Sequence, residues 1–555
     1  VLKKPSNILV ICCLVVIFLA TSWSLFNTSF FHVHDTSHAA RIAEMTRALD
    51  DGHWPVRWVS NFGLGYGMPL FEFYAPLPYL VGAIFYGLGL NIIWSIKVLY
   101  LLCSLLTVIG SYYLGKEISG QKFPAVLTSA AISLAPYRAV DLFVRGALSE
   151  AWGIMAIPWI LYGVLAVAHQ RRFGWQILTF SLVVLFLSHN LTTLMFLPFL
   201  LIFMSGWFNR SIKIIFSAIF LAIGLSAFYL FPAVLEQKYT SVFNLSISSF
   251  HYADYFVFGR QLITPLWGYG GAAPGPYNDQ SNFLGYGQLM GMGFALFLSA
   301  IYLVVKKRLN SIVITLFLLT VLLLLSIFML HGRSSWLWQN FTLIQVLQFP
   351  WRWLSLAIIW LGLIGGLGSL LIKNQLVRNI YCLLLSLVIV LGNYNFFKPK
   401  AYLTQPETYY FIQLAQIRRQ AGPGFIDYLP KTMTQLSTVN YVATANSEVQ
   451  SIKVLQNKTQ QKIIATNFSQ TQTVSFGTAA FPGWEIKIDQ IQVGHFIDEK
   501  GQLAVPVPAG NHQVTASFKS TLIRWWSDFI SLICWTSLIL YGCLQYSRII
   551  SRSRF

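Results

Sequence analysis

The feature that most constrains this chain is a succession of apolar runs, each near the twenty residues that cross a bilayer as a helix. They cover roughly 8–26, 92–114, 123–137, 149–169, 174–188, 191–206, 213–234, 285–305, 309–330, 353–371, 379–396 and 524–546. Only 10% of the 555 residues are charged, where soluble domains carry about a quarter. A soluble globular chain is thereby excluded, and about twelve membrane spans are expected.

Flanking charge orients these spans, because cytoplasmic loops collect Lys and Arg. Lys3 and Lys4 precede the first run, which places the N-terminus inside; no small-x-small cleavage site follows, so the run is expected to remain as an anchor. Counting alternately, Arg171 and Arg172, Arg210 and Lys213, "KKR" at 306–308, "KNQLVR" at 373–378 and the final "SRIISRSRF" all fall inside. Both termini are then cytoplasmic in a multi-pass cell-membrane protein. The net charge of +19 is largely these loops, and no nucleic-acid partner is implied. The six cysteines lie in apolar runs without metal or disulfide spacing. The segment 76–90, "PLPYLVGAIFYGLGL", is too short for a full span and reads as an interfacial or re-entrant helix.

Three regions follow. Residues 1–396 form a transmembrane domain with a long first external loop, 27–91. Residues 397–523 are polar: "STVNYVATA", "KIIATNF" and "WEIKID" alternate as strands do, "PAGNHQV" supplies a turn, and a helix, "PETYYFIQLAQIRRQ", precedes them. A β-rich extracytoplasmic domain is expected there. Residues 524–555 are a last span and basic tail. The fold class is thus mostly α, a polytopic helical membrane protein with a β-rich domain before its last span.

Polar groups near a membrane are costly, so their clustering is informative. With this topology they gather outside: His34, Asp35, His38 and Arg41; "YRAVDLFVRGALSE" at 137–150; "SHN" at 188–190; "HYADYF" at 251–256; "HGRSSW" at 331–336; and "QFPWRW" at 348–353. Asp35 suits the N-cap of a helix beginning at Thr36, or a catalytic or acceptor-binding role. His34, Asp35 and His38 can also be read as ligands of a divalent metal, since i and i+3 share a helix face. Arg145 offers a planar fork suited to phosphate, or pairs structurally with Asp141 or Glu150. His189 is a helix cap or a pocket residue, and Arg352, between Trp351 and Trp353, an aromatic-belt or site residue. In the Gly- and aromatic-rich run 50–80, Trp54, Arg57, Trp58, Tyr66 and Tyr74 either stack on sugar rings or anchor the loop at the interface; its G-L-G-Y-G is no dinucleotide fingerprint.

The ordered motifs "HDTSHAARIAEMTRALDDGHWPVRW…GYGMPLFEFYAPLPYL", "APYRAVDLFVRGALSE", "LSHN", "LSAFYLFPAVLE", "QFPWRWL" and "FPGWEIKID" resemble bacterial multispanning proteins called 6-pyruvoyl-tetrahydropterin-synthase-related. They also resemble the related family that glycosylates lipoteichoic acid. Both look like type-C (GT-C) glycosyltransferases, and the resemblance covers nearly the whole chain. No soluble pterin-synthase domain or histidine triad accompanies the pterin name. The resemblance implies a polyprenyl-phosphate-sugar donor, an envelope glycan or lipid acceptor, and an extracytoplasmic active site. It also implies an acidic residue of the first external loop as base or acceptor-positioning group, the place Asp35 occupies. His38, Arg145 and Glu150 match further positions of the pattern, and the 397–523 block matches a carbohydrate-associated domain. Where metal-using members carry paired acids, His34 precedes Asp35 here. Asp35 is then expected as base, Arg145 and Arg352 at the donor phosphate, and His38, His189 and Glu150 around the pocket. A transporter or flippase of lipid-linked sugars, and a non-catalytic scaffold of envelope assembly, are the other readings.

Overall fold

A computed structural model describes residues 7–206, 211–241, 251–277, 279–403, 428–433, 439, 441–447 and 449–553. The expected helix 406–420 lies outside them, as do Ser437, Thr438 and Asn440 of "STVNYVATA", whose end, Ala443–Ala445, is a strand. The described chain is mostly helical with a β-rich domain near its C-terminus. All twelve apolar runs form helices, and among the described residues eight are long and apolar enough to cross a bilayer: Asn7–Phe26, Ile92–Ser119, Leu148–Ala168, Tyr286–Lys306, Ser311–Leu330, Pro350–Leu371, Gln375–Phe396 and Leu522–Cys543.

The other four are shorter or bent, for visible reasons. Pro136 pushes Ala135 to an extended conformation (φ −62°, ψ 132°), so the helix begun at Lys122 ends at Ser133. Extended His189 separates Gly174–Ser188 from Asn190–Ser205, and the run 213–234 breaks at Ser226 between Ile212–Leu225 and Ala227–Leu235. The segment 76–90 is an eleven-residue helix, Leu77–Gly87, too short to span.

The chain forms two compact units. One comprises residues 1–36, 93–222 and 250–404; the other comprises 37–92, 223–249 and 405–555. The division differs from the linear one drawn above, since most of loop 27–91 packs in the second unit with the β-rich domain.

In the first unit, Leu148–Ala168 and Pro350–Leu371 are the central helices, 83% and 89% buried, whereas Tyr286–Lys306 and Gln375–Phe396 are 22% buried. The central position of Leu354–Gly368 follows from its small residues. A Cβ on Gly362 would meet Ile132, one on Gly366 would meet Thr128, and one on Gly368 would meet Ala295. Without side chains there the backbones approach closely, which is how helices associate in lipid.

In the second unit, two antiparallel sheets carry β1 (Ala443–Ala445), β2 (Ile452–Lys458), β3 (Gln461–Phe468), β4 (Gln472–Ala479), β5 (Trp484–Ile488), β6 (Ile491–Val493), β7 (Phe496–Ile497), β8 (Gln502–Val507) and β9 (Gly510–Phe518). Their orders are β1-β4-β8-β7 and β2-β3-β9-β5-β6. Alternate residues point inward: Ile464, Ile486, Val514 and Ala516 from one sheet share a core with Val474, Phe476, Leu503 and Val505 from the other. The expected strands around 461–468 and 484–488 and the turn at Gly510 are all present.

The run 50–80 completes this core. Trp58, Tyr66 and Phe73 are buried in it, with Trp58 5.5 Å from Trp484 and 5.4 Å from Phe518 between ring centroids. Gly63, Gly65 and Gly67 of G-L-G-Y-G all have positive φ, the left-handed turn that glycine permits. Asp51 Oδ2 accepts from the Thr459 backbone at 2.6 Å and its hydroxyl at 2.7 Å.

Beside that core, Arg524 is buried between two carboxylates. Its Nη2 lies 2.7 Å from Glu236 Oε2, and its Nε lies 3.0 Å from Glu72 Oε2. Its guanidinium covers the Phe481 and Phe518 rings at 5.2 and 4.8 Å, and Thr521 also donates to Glu236. One cation thus faces two acids. Burial, and after it the hydrogen bond and charge of Glu236, push Glu72 up to about 8 against the pull of Arg524.

Candidate functional site

The site in the first unit is built on a short π-helical turn, Val140–Arg145, a geometry that recurs at functional positions. The turn ends at Gly146, whose φ of 67° is a left-handed cap suited to glycine. A Cβ there would come within 2.7 Å of Val33. This clearance lets the segment after the first span run beside the turn. The His34 N–H donates to Val144 O at 3.1 Å and the Asp35 N–H to Arg145 O at 2.8 Å. The same segment pairs with 401–403 through His32 N–H to Ala401 O and Leu403 N–H to Phe30 O. Lys97 donates to the carbonyls of Asn27 and Ser29, and His34 Nε2 lies 2.9 Å from Tyr269 O. Asp35 is therefore fixed through its backbone and half-buried.

Arg145 is the hub. Its Nη1 donates to Asp141, four residues back, and its Nη2 to Glu150 Oε2 at 2.8 Å. Its guanidinium lies 4.4 Å over the Trp351 ring. Glu150, at the buried start of Leu148–Ala168, also accepts from the Tyr137 hydroxyl at 2.6 Å. Arg352, on the 3-10 turn Pro350–Trp353 that opens the other central helix, brings Nε to 3.8 Å from Glu150 Oε2. The Arg352 side chain is 11% exposed, and its Nε and Nη1 have no hydrogen-bond partner. Burial and then the Glu150 charge push Asp141 well above the usual carboxylate range, against Arg145 and Arg352. Two guanidiniums thus meet at Glu150, the pair of cations to which an anion could bind.

His189 joins from the break between two helices. Its Nδ1 accepts the Thr192 backbone N–H at 3.3 Å and lies 2.7 Å from Thr192 Oγ1. Burial, offset in part by Glu150, and then the Arg352 and Arg145 charges push it down to about 3, so it is neutral.

Of the residues singled out from sequence, His34, Asp35, Arg145, Glu150, His189 and Arg352 belong to this unit, and the structure joins Asp35, Arg145, Glu150 and Arg352 in one bonded chain. His38, Trp54, Trp58 and Tyr66 belong to the other. His38 is buried, with Nδ1 3.0 Å from the Tyr79 hydroxyl, which accepts from Arg41 at 3.0 Å. Trp58 and Tyr66, each 1% exposed, are core rings and cannot stack on a sugar; Trp54, 65% exposed, keeps an open face. Helix His38–Asp50 has Ser37 at its N-cap, so Asp35 is not the N-cap residue. No three His, Cys, Asp or Glu side chains among the described residues are gathered to hold a metal, and the His34, Asp35 and His38 set is not one. Sequence reasoning paired Arg145 with Asp141 or Glu150 but did not single out Tyr137 and Trp351 as its further partners.

No family model matches the chain. It is 29% identical over 228 residues to an uncharacterized protein of Lactococcus lactis subsp. cremoris, covering 38% of this chain and 36% of that protein, so it spans about a third of that relative's length. Among solved structures it is similar to the cryo-EM structure of the mycobacterial arabinofuranosyltransferase AftD, with TM-score 0.46 and 13% identity, covering 73% of this chain and 28% of that one. It is also similar to the apo crystal structure of the Archaeoglobus fulgidus oligosaccharyltransferase, with TM-score 0.47 and 12% identity, covering 74% of this chain and 60% of that one.

Proposed function

We propose that the protein is a membrane glycosyltransferase of type C that moves a sugar from a polyprenyl-phosphate donor to an envelope glycan or lipid acceptor on the extracytoplasmic face. The observation that carries this reading is the gathering of two largely buried guanidiniums, Arg145 and Arg352, at Glu150, with the Asp35 backbone N–H bonded to the Arg145 carbonyl. Nε and Nη1 of Arg352 make no hydrogen bond.

In the reaction, Asp35 takes the proton of the acceptor hydroxyl as its oxygen attacks the anomeric carbon. The bond from that carbon to the phosphate oxygen breaks, and the polyprenyl phosphate leaves with the electron pair. Arg145 and Arg352 stabilise the charge that grows there, and the buried setting strengthens that effect. Glu150 and Asp141 hold the Arg145 fork in place. A single displacement inverts the anomeric configuration, and a phosphate leaving group needs no strong general acid. The motif resemblance supports the donor class.

The test is transfer of labelled sugar from a lipid-linked donor in membranes containing correctly inserted Asp35→Asn protein. A loss of about 10²- to 10⁴-fold is expected for removal of a general base. Turnover equal to wild type would overturn the assignment.

A further inference from the structure

His189 has a fixed tautomer. The backbone N–H of Thr192 can only donate, and it donates to Nδ1 of His189 at 3.3 Å. Nδ1 is therefore the acceptor nitrogen, and in the neutral ring the proton resides on Nε2. The imidazole serves as the N-cap of Asn190–Ser205, an unusual residue for that place, where Asn, Asp or Ser is preferred. A cap alone would not call for a ring whose far edge carries a second nitrogen.

The ring's position is set by Gly153. A Cβ on Gly153 would meet His189 Cβ at 3.1 Å and Thr192 Cβ at 3.1 Å. Gly153 is three residues on from Glu150 and so shares its helix face. The charged groups acting on the ring are Glu150, Arg352 and Arg145, the same three that form the candidate phosphate site.

We propose that His189 is a substrate-binding residue whose Nε2–H donates a hydrogen bond to a phosphate oxygen of the lipid-linked donor, as a neutral third donor beside Arg145 and Arg352. This rests on the glycosyl-transfer reading above. The ring neither takes nor gives up a proton; it adds a directional bond without adding charge to a site that already holds two cations.

Two substitutions separate the ring's edges. Asparagine at 189 places its amide oxygen near the position of Nδ1 and keeps the cap, but has nothing at Nε2. Glutamine places an N–H near Nε2 but forfeits the cap. The measurement is binding of undecaprenyl monophosphate to the full chain in nanodiscs, with melting temperature recorded alongside. Expected are a 10- to 100-fold weaker Kd for His189→Asn, the range of one hydrogen bond to a charged group, with an unchanged melting temperature. His189→Gln should keep wild-type affinity within about threefold and melt lower. If His189→Asn binds as tightly as wild type, or if both variants weaken equally, the donor role is refuted while the transfer reading stands. If wild type binds no polyprenyl phosphate, the transfer reading falls and this inference with it. In the pH profile of transfer, a limb near pH 6–7 that vanishes in His189→Gln would show acid–base work by the ring and would also refute the proposal.

Discussion

Replacing Glu72 by glutamine should stabilise the protein at neutral pH, although it removes half of a buried acid pair. Glu72 and Glu236 share one guanidinium, Arg524, and the proton resides on Glu72, raised from 4.5 to about 8 by burial and by Glu236. A carboxylic acid whose folded pKa is raised contributes full stability below its unfolded pKa, and that stability is lost as pH climbs toward the folded value. Between pH 4.5 and 8 the unfolded chain gains about 1.4 kcal/mol per pH unit from ionising this group, which the folded chain does not. At pH 7 the loss is roughly 3 kcal/mol, and above pH 8 it levels off near 5 kcal/mol. Glutamine keeps the neutral shape and abolishes the pH term. Thermal melts of the full chain in detergent, followed by tryptophan fluorescence at pH 6, 7, 8 and 9, should show Glu72→Gln melting a few °C above wild type at pH 7. The gap should widen to pH 8. Identical melting temperatures at every pH, or a deficit in the variant that does not change with pH, would refute the reasoning. Arg524→Met supplies the opposite sign, because it strands Glu236 without its cation at a cost of about 3–5 kcal/mol.

Trp58→Ala should cost about 3–5 kcal/mol by opening a cavity among Trp484, Phe481 and Phe518. Limited trypsin digestion should then cut within 450–518 sooner than in wild type, and equal protection would argue that the ring is dispensable to this core. Gly146→Ala should lower sugar transfer at least tenfold, because the new methyl meets Val33 at 2.7 Å in a left-handed backbone and shifts Asp35. Val33→Ala in the same chain should recover part of the loss, and no recovery would locate the defect in backbone strain alone.

Local pattern made the helices and strands legible; contacts between distant parts of the chain did not show in it. The strands β3, β5 and β9 alternate as sequence reasoning requires, and their inward residues are those that alternation selects. The break at His189 was legible, but the runs 123–137 and 213–234 were read through Pro136 and Ser226, because hydropathy averages over such residues. Trp58 and Tyr66 were misread because an aromatic beside glycine has the same composition whether it faces a sugar or fills a core. Their partners in the β-rich domain lie some 400 residues later in the chain, and no local periodicity reports that.

The segment from His34 to Arg41 is divided between the two units. His34 and Asp35 belong to one unit, held by Val144, Arg145 and Tyr269, while His38 and Arg41 belong to the other, held by Tyr79. The backbone of the acid is tied to an arginine 110 positions later. That arginine is in turn fixed by Glu150, which Arg352 approaches from the start of another helix. Two cations held on the turns that lead into the central helices, one of them bonded through its carbonyl to the proposed base, are preorganised by packing. The chemistry proposed here therefore depends on the glycines that let those helices close as much as on the charged groups themselves.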